Sequence, residues 1–145
     1  MHTCRDPIEI VLVEDNPGDV ELTEHALGTS EIPHRLTVVT YGADALSHLR
    51  NVPGDAVRRP HLILLDLYLP DMSGFDVLAS LKADPRLRRV PVVIMTSSET
   101  EADVARSYDL QASGFVTKPF DPGDFARAVV DVGHYWHTVV RLAPM

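Results

Sequence analysis

Five polar residues in this sequence could do chemistry together although they lie far apart along the chain: Glu14, Asp15, Asp66, Thr96 and Lys118. Three are carboxylic acids, and carboxylates that share one cleft repel one another unless a cation lies between them. A small cluster of carboxylate oxygens suits magnesium or manganese, which prefer oxygen ligands. With its charge offset, one carboxylate can act as a nucleophile toward phosphorus and form an aspartyl phosphate. The lysine would then pair with the phosphate as a point charge, and the threonine hydroxyl would donate to a phosphate oxygen.

Each of these residues lies at the end of a short apolar run of the kind that forms a buried β-strand. The run 62–65 is the clearest, because it ends at Asp66 and a turn-forming sequence, Pro-Asp-Met-Ser-Gly, follows at 70–74. Strands that are apolar throughout are covered on both faces, as parallel strands between two layers of helices are. The five predicted strands are 8–13, 36–40, 62–65, 92–95 and 114–117.

Helical segments separate these strands. The first predicted helix runs from residue 17 to about residue 27: Asn16 suits its N-cap, Pro17 suits its first position, and Gly28 marks its end. The alternation of strand and helix, repeated five times, predicts a flavodoxin-like, doubly wound (βα)5 fold with a five-stranded parallel sheet in the order 2-1-3-4-5. In this fold, ligands bind at the carboxyl ends of the strands, where all five polar residues lie. The other predicted helices are 42–50, 74–83, 99–110 and a last one from Asp121 to about Trp136.

The composition limits the classes of function open to the chain. Its 145 residues suffice for a single domain with a core at about 8–136, and we expect a helical extension over 137–145 and no attached output domain. With 13 basic and 21 acidic residues the net charge is −8, which argues against nucleic acid as a direct partner. The single cysteine, Cys4, cannot form an internal disulfide. No apolar run approaches the roughly 20 residues that span a bilayer, so we expect a cytoplasmic protein without a membrane partner.

The motifs resemble those of the response-regulator receiver domains of two-component signalling (CheY-like), over about residues 8–136. By this resemblance Asp66 is the phosphoacceptor, Lys118 is the counter-charge of the phosphate, and Thr96 and Phe115 are coupled switch residues. The Lys118–Pro119 peptide bond is expected to be cis. The motifs that carry the resemblance are Glu14-Asp15, Asp66 with Leu69-Pro70 and Gly74, Thr96-Ser97, and Lys118-Pro119.

The resemblance also implies a metal site and a partner. Magnesium or manganese would be held by Asp15, Asp66 and the main-chain carbonyl of Tyr68, with Glu14 reaching the metal mainly through water. The protein would take its phosphoryl group from a sensor histidine kinase and signal by conformational change or dimerisation. It would not be an enzyme beyond magnesium-dependent self-phosphorylation and self-dephosphorylation.

A narrower resemblance links the chain to single-domain regulators that partner bacterial phytochrome histidine kinases. It rests on the stretch 107–112, on Asp84-Pro85 ahead of the fourth strand, and on the tail 136–142. A phytochrome kinase is therefore the expected partner.

Tyr68 departs from the common family pattern, in which many members carry a small or polar residue two positions beyond the phosphoacceptor. A bulky ring beside an acyl phosphate could screen it from attacking water. We therefore expect a longer-lived phosphoryl group here than in relatives with a small residue at this position.

The last helix is more apolar than a surface helix requires. One stripe should pack on the sheet, formed by Phe125, Val129, Val132 and Trp136. A neighbouring stripe and the tail continue the apolar character through Ala126, Val130, Gly133, Tyr135, Val139, Val140 and Leu142. This width predicts a homodimer that uses the fourth helix, the fifth strand and the fifth helix.

Other readings of the same residues remain open at this point. A phosphatase with an aspartyl-phosphate intermediate, of the haloacid-dehalogenase type, needs a second acid where this chain has Tyr68. A flavodoxin-like cofactor binder needs a Ser/Thr/Gly-rich loop where it has Glu14-Asp15. A scaffold that no longer accepts phosphate is disfavoured by the full set of polar residues. His134 and His137 could pair on a metal, although solvent-facing histidines are the simpler expectation, and the arginines at 86, 88 and 89 could dock a partner or simply solvate a loop.

Overall fold

The computed structural model describes residues 6–51 and 59–143. Its strands form one sheet in the order β2-β1-β3-β4-β5, and all pairings are parallel. This confirms the predicted flavodoxin-like fold. The strands are β1 (Ile8–Val13), β2 (His34–Val39), β3 (Leu62–Leu65), β4 (Val92–Thr96) and β5 (Gly114–Thr117).

Helices connect the strands, and most begin at a side-chain cap. The side chains of Asn16, Ser73, Thr100 and Asp121 each accept a hydrogen bond from a backbone amide in the first turn that follows. Within the described ranges, no helix is long and apolar enough to cross a membrane. The helices are α1 (Pro17–Thr29), α2 (Gly42–Arg50), α3 (Gly74–Ala83), α4 (Glu101–Asp109) and α5 (Pro122–His134), and a π-helical turn, Tyr135–Val139, follows α5.

Alternate residues of each central strand point to opposite faces of the sheet, and this produces two hydrophobic clusters. Ile63 and Leu65 of β3 belong to the cluster under α2 and α3, whereas Leu62 and Leu64 belong to the cluster under α1 and α5. All four residues of β3 are buried, as its apolar sequence predicts. β3 is therefore fixed on both faces, and the residue that follows it, Asp66, has a fixed position.

Packing around α4 is different. None of the residues of α4, all of which the structure describes, belongs to either hydrophobic cluster, and Ser107 is its only buried residue. The Ser107 hydroxyl donates to the main-chain oxygen of Asp103 at 2.8 Å, inside the helix. Polar contacts at its first turn, and the Arg106 guanidinium 4.2 Å from the centre of the Phe75 ring, therefore supply much of what holds α4 to the domain.

Several predicted boundaries differ from the structure. α1 continues past Gly28 to Thr29, where the Ser30 hydroxyl donates to the oxygen of Leu27 at 2.6 Å and ends the helix. β2 begins at His34 because its pairing with β1 begins there, opposite Ile8. α4 begins two residues later than expected, because Thr100 caps it.

The predicted helical extension over 137–145 is wrong at residues 140–143. Helical structure ends at Val139, and residues 140–143 are not helical. The sequence supplies the reason: Thr138, Val139 and Val140 are β-branched, and Ala143 precedes a proline, so both features disfavour helix. Residues 144 and 145 lie outside the described residues, as does Cys4.

Candidate functional site

Three carboxylates meet at the carboxyl end of the sheet, as the sequence predicts. Glu14 and Asp15 follow β1, and Asp66 follows β3, which is the neighbouring strand. The amide of Asp66 donates to the main-chain oxygen of Val13 at 3.1 Å, which fixes the two strand ends together. One oxygen from each carboxylate lies within 4.8 Å of the others. Glu14 and Asp66 are buried, whereas Asp15 is exposed.

Lys118 reaches this cluster from the end of β5. Its ammonium group donates to Oε1 of Glu14, to Oδ2 of Asp19 at 2.7 Å and to Oδ2 of Asp66 at 3.1 Å. Its side chain is only 8% exposed. Its amide donates to the main-chain oxygen of Thr96 at 2.7 Å, so the backbone beneath the ammonium is also held.

The charges of these groups depend on one another. Burial raises the pKa of Glu14 to about 7, although the hydrogen bond from Lys118 opposes this shift. Burial by itself lowers the pKa of the Lys118 ammonium, but the hydrogen bonds to Asp19 and Glu14 and the negative charges of Asp66 and Glu14 together outweigh burial, and the net direction is upward. The lysine is therefore charged at neutral pH and is the positive centre of an otherwise acidic site.

Asp19 is a site residue that the sequence analysis did not identify. From α1 its carboxylate accepts a hydrogen bond from Lys118, while its amide donates to the Asn16 cap at 3.1 Å. In the sequence it looks like an ordinary acid in the first turn of a helix, where the helix dipole favours negative charge. The only local signal was its position, one turn beyond the strand end that carries Glu14 and Asp15.

Thr96 has a buried hydroxyl without a partner. The residue is 0% exposed, and no group in residues 6–51 or 59–143 makes a hydrogen bond to its Oγ1. An unsatisfied buried hydroxyl costs on the order of 1–3 kcal/mol, so native proteins keep few of them and those few need a reason. A ligand oxygen at the ends of β3 and β4 would satisfy this one.

The donor set fits a hard divalent cation. Every side-chain ligand offered by Glu14, Asp15 and Asp66 is a carboxylate oxygen, and such oxygens are what magnesium and manganese prefer. The cluster can therefore hold a divalent metal ion. The predicted fourth ligand, the carbonyl of Tyr68, stays a prediction, although the amide of the same residue donates to Oδ1 of Asp66 at 3.3 Å.

The loop after Asp66 folds back closely on itself, and Gly74 permits this. The amide of Gly74 donates to the oxygen of Leu67 at 2.8 Å, and Tyr68 and Ser73 form an isolated antiparallel bridge. A Cβ at position 74 would lie 2.2 Å from the main-chain oxygen of Asp66 and 2.6 Å from the Cα of Leu67. Glycine is therefore required by a backbone approach, and it fixes the segment that presents Asp66.

Tyr68 leaves this loop and reaches α4. Its hydroxyl donates to Oδ2 of Asp103 at 2.7 Å, and the hydroxyl of Ser98 donates to the same oxygen at 2.6 Å. Hydrogen bonds from Ser98 and Tyr68 lower the pKa of Asp103, and the bond to Asp103 raises the pKa of Tyr68. From the sequence alone Tyr68 stands out whereas Asp103 and Ser98 do not, because no local pattern relates either residue to a tyrosine so far away in the chain.

This geometry has counterparts among known proteins. A family model described as a response regulator receiver domain matches residues 10–130. The chain belongs to this receiver family. It is a phosphoacceptor response regulator of two-component signalling. The family assignment decides against the phosphatase and the flavodoxin-like cofactor binder.

Individual relatives cover almost the whole receiver. The chain is 39% identical over 142 residues to the response regulator Rcp1 of Synechocystis sp. (strain ATCC 27184 / PCC 6803 / Kazusa), covering 94% of this chain and 93% of that protein. The structure of the phosphorylated cyanobacterial phytochrome response regulator RcpA superposes with a TM-score of 0.88 at 37% identity, covering 95% of this chain and 99% of that one. The Mn(2+)-bound form of Rcp1 gives 0.86 at 38% identity, over 95% of this chain and 100% of that one. The bacteriophytochrome response regulator AtBRR superposes with a TM-score of 0.70 at 38% identity, covering 97% of this chain and 98% of that one. These relatives confirm the narrower resemblance.

One expectation drawn from the receiver family is wrong for this structure. Across the described residues no peptide bond is cis, so the bond between Lys118 and Pro119 is trans. A trans bond is the intrinsic preference even before proline. With this bond trans, Lys118 makes both its main-chain contact to Thr96 and its side-chain contacts to the acids.

Phe115 and the histidines have structural settings of their own. Phe115 lies in β5 opposite Ile94, is half-buried and packs against the cluster under α2 and α3, so its switch role stays a prediction. His137 was expected to face solvent, but it is buried, and its Nε2 lies 3.1 Å from the main-chain oxygen of Asp6. His134 is exposed, and within the described ranges the only candidate metal cluster is that of the carboxylates.

The apolar width of α5 is partly explained by α1. Ala126 and Val130 pack against the cluster that α1 and α5 share, and Gly133 is buried, with its Cβ position 3.3 Å from Cδ1 of Ile32. From the sequence we expected this neighbouring stripe to be free for a partner. In the structure it is not free, because it packs inside the domain. Exposed apolar surface remains farther along, at Tyr135, which is 50% exposed, and at Val139, which is 63% exposed.

The arginine cluster before β4 is exposed at all three positions, 86, 88 and 89. The guanidinium group of Arg86 donates to the main-chain oxygen of Arg50 at 3.4 Å, which joins this loop to the end of α2. One of the three arginines therefore also has a structural contact.

Proposed function

We propose that Asp66 is the residue that accepts the phosphoryl group from a phosphohistidine of a sensor kinase. One observation carries this proposal: a buried carboxylate lies 3.1 Å from the Lys118 ammonium, and the adjacent strand ends in a buried threonine hydroxyl that has no hydrogen-bond partner among the described residues. A new anion on Asp66 would meet a charge and a hydroxyl donor that are already in position.

The transfer is a displacement at phosphorus. An oxygen of Asp66 forms a bond to phosphorus, and the bond from phosphorus to the kinase imidazole nitrogen breaks, with its electron pair remaining on the imidazole. Lys118 shifts from the free carboxylate toward the new phosphoryl oxygens, and the Thr96 hydroxyl donates to one of them. Phe115, in β5, follows Thr96 as the second switch residue and carries the change toward α4.

The metal proposed here is magnesium, or manganese in its place. Asp15, Asp66 and the carbonyl of Tyr68 would hold it, with Glu14 bound mainly through water. When bound, the ion offsets the negative charge of the carboxylates and orients the incoming phosphoryl oxygens. The all-oxygen donor set supports this choice, and the Mn(2+)-bound form of the relative Rcp1 is consistent with it.

The proposed partner is a bacterial phytochrome histidine kinase. Support comes from the relatives RcpA and AtBRR, which are a phytochrome and a bacteriophytochrome response regulator. We further propose that residues 1–145 form a single receiver domain, that the protein is cytoplasmic, in keeping with its one cysteine, and that it binds neither nucleic acid nor membrane.

A homodimer through α4, β5 and α5 is part of the proposal. The exposed side chains of Tyr108, Tyr135 and Val139 support it, since they place apolar surface on this side of the domain. Output would then follow from phosphorylation changing this surface.

Mass spectrometry tests the phosphoacceptor directly. The protein is incubated with magnesium and a small acyl phosphate, and we expect a mass gain of one phosphoryl group that Asp66→Asn abolishes. Asp131→Asn, an exposed carboxylate on α5, is the matched control and should gain the group like wild type. A gain that persists in Asp66→Asn would contradict the assignment, and no gain in wild type would favour the scaffold that no longer accepts phosphate.

A further inference from the structure

The side chain of Tyr68 bridges two segments that follow neighbouring strands. Its backbone belongs to the loop after β3, whereas its hydroxyl is bonded at 2.7 Å to Asp103 in the first turn of α4, which follows β4. The ends of β3 and β4 are adjacent in the sheet. The tyrosine side chain therefore crosses the edge at which Asp66 and Thr96 lie.

Both ends of this side chain are fixed. At the backbone end, the Tyr68 amide donates to Oδ1 of Asp66 at 3.3 Å, and the close approach of Gly74 leaves the loop little freedom. At the hydroxyl end, Asp103 is itself held, because its amide donates to the Thr100 cap at 3.2 Å. A side chain that is 61% exposed would otherwise be free to move between rotamers.

The same carboxylate oxygen, Oδ2 of Asp103, also binds the loop that precedes α4. The Ser98 hydroxyl donates to Oδ2 of Asp103 at 2.6 Å, and the main-chain oxygen of Ser98 accepts from the Thr117 hydroxyl of β5 at 3.0 Å. Because α4 contributes nothing to either hydrophobic cluster, these polar contacts are a large part of what holds its first turn. Hydrogen bonds to a charged acceptor are the stronger kind.

We propose that Asp103 is a positioning residue: it holds the Tyr68 ring across the entrance to Asp66, so that the lifetime of the phosphoryl group and the attachment of α4 depend on the same carboxylate. This inference rests on the proposed role of Asp66. It names a residue of α4, outside the acidic cluster, that acts through Tyr68.

The reaction concerned is hydrolysis of the aspartyl phosphate. A water oxygen forms a bond to phosphorus, and the bond from phosphorus to the Asp66 oxygen breaks, leaving its electron pair on the carboxylate. The water loses one proton to solvent, and its oxygen and other proton leave with phosphorus as hydrogen phosphate. A ring held over the entrance occupies part of the space from which water approaches, and a ring released from Asp103 occupies it less of the time.

Three variants test the link: Tyr68→Phe, Asp103→Asn and the double variant. The first keeps the ring and removes the donor, and the second keeps the shape of the acceptor and removes its charge. Each protein is phosphorylated with the acyl phosphate, the donor is removed, and loss of the phosphoryl group is followed by mass spectrometry. We expect each single variant to shorten the lifetime about three- to tenfold, as loss of one charge-assisted hydrogen bond would allow, and the double variant to go no further than the larger single effect.

A second measurement follows α4 without phosphate. Hydrogen exchange of the amides in the first turn of α4 should become faster in both single variants and unchanged elsewhere. Tyr41→Phe and Asp109→Asn provide the matched controls, since Tyr41 is an exposed tyrosine and Asp109 an exposed carboxylate of the same helix, and neither should change lifetime or exchange.

The outcomes separate this inference from the proposed function. Lifetimes that match wild type in both variants, or effects that add fully in the double variant, would overturn the link. If wild type itself takes no phosphoryl group, the proposed role of Asp66 is wrong, and so is the effect on lifetime. If hydrogen exchange in the first turn of α4 is also unchanged in the variants, the role of Asp103 in attaching α4 is wrong as well.

Discussion

Lys118 is the residue on which the charge balance of the site depends. It faces three carboxylates and is nearly buried with two of them, Glu14 and Asp66. Buried ions are tolerated when they are paired, and removing one partner leaves the other uncompensated. The same lysine therefore stabilises the free domain, and in the proposed reaction it pairs with the phosphoryl group on Asp66.

We predict that Lys118→Met lowers the free energy of unfolding by about 3 kcal/mol in the absence of divalent metal, because Glu14 and Asp66 lose their buried counter-ion. Urea denaturation measures this loss, and added magnesium should recover part of it. Arg127→Met is the control, since Arg127 pairs with Asp124 on an exposed surface and its loss should cost under about 1 kcal/mol. Equal losses in the two variants would count against the prediction.

We predict that Gly74→Ala destabilises the domain by about 2–4 kcal/mol, because its Cβ would meet main-chain atoms of Asp66 and Leu67 that cannot rotate away. Gly28→Ala is the matched control. A Cβ at position 28 has nothing within 4 Å, and alanine within a helix should stabilise by about 0.5–1 kcal/mol. Thermal unfolding that moves both variants in the same direction would contradict this prediction.

We predict that Tyr68→Asn shortens the lifetime of the phosphoryl group, because the small amide neither covers Asp66 nor reaches Asp103. The loss of the group is timed after removal of the donor. Tyr41→Asn, at another exposed tyrosine, should leave the lifetime as in wild type. Equal lifetimes for wild type and Tyr68→Asn would refute the screening role.

At the scale of elements, β3 and α4 show opposite designs. β3 is buried on both faces and holds its site residue still. In contrast, α4 presents polar residues and is attached by hydrogen bonds to Asp103 in its first turn and by the Arg106 guanidinium, which lies 4.2 Å from the centre of the Phe75 ring. An element with few buried contacts opens at low free energy. We therefore expect a change at the site to alter the attachment of α4 before that of the other helices.

For this helix, we predict that Thr100→Ala speeds hydrogen exchange in the first turn of α4 and costs about 1 kcal/mol of stability, because the Asp103 amide loses its cap. Asp121→Ala, which removes the cap of α5, should cost a similar amount but leave α4 unchanged, since α5 packs on α1. Exchange that rises equally in both helices for either variant would show that the caps do not act locally.

At the scale of the whole molecule, we predict a dimer, with the exposed residues Tyr135 and Val139 in its interface. Light scattering at tens of micromolar should show twice the monomer mass. The double variant Tyr135→Ser, Val139→Ser should associate less, because it removes the exposed apolar surface that the partner subunit would cover. A control pair on the far side of the sheet, Val38→Ser and Tyr41→Ser, should not. A monomer with and without phosphorylation would contradict the prediction.

The sequence by itself determined the fold and the main polar residues of the site. Uninterrupted apolar strands and capped helices are local patterns, and parallel topology brings the ends of β1, β3, β4 and β5 to one edge whatever the details of packing. For that reason Glu14, Asp15, Asp66, Thr96 and Lys118 could be grouped in advance.

Only the tertiary structure decided the contacts between side chains from distant segments. It joined Asp19 to Lys118 and Tyr68 to Asp103, packed the neighbouring stripe of α5 against the cluster that α5 shares with α1, and ended the last helical turn at Val139. Such contacts depend on the distance between each helix and the sheet and on the rotamers that neighbouring side chains allow. The local periodicity of the sequence predicts neither of them.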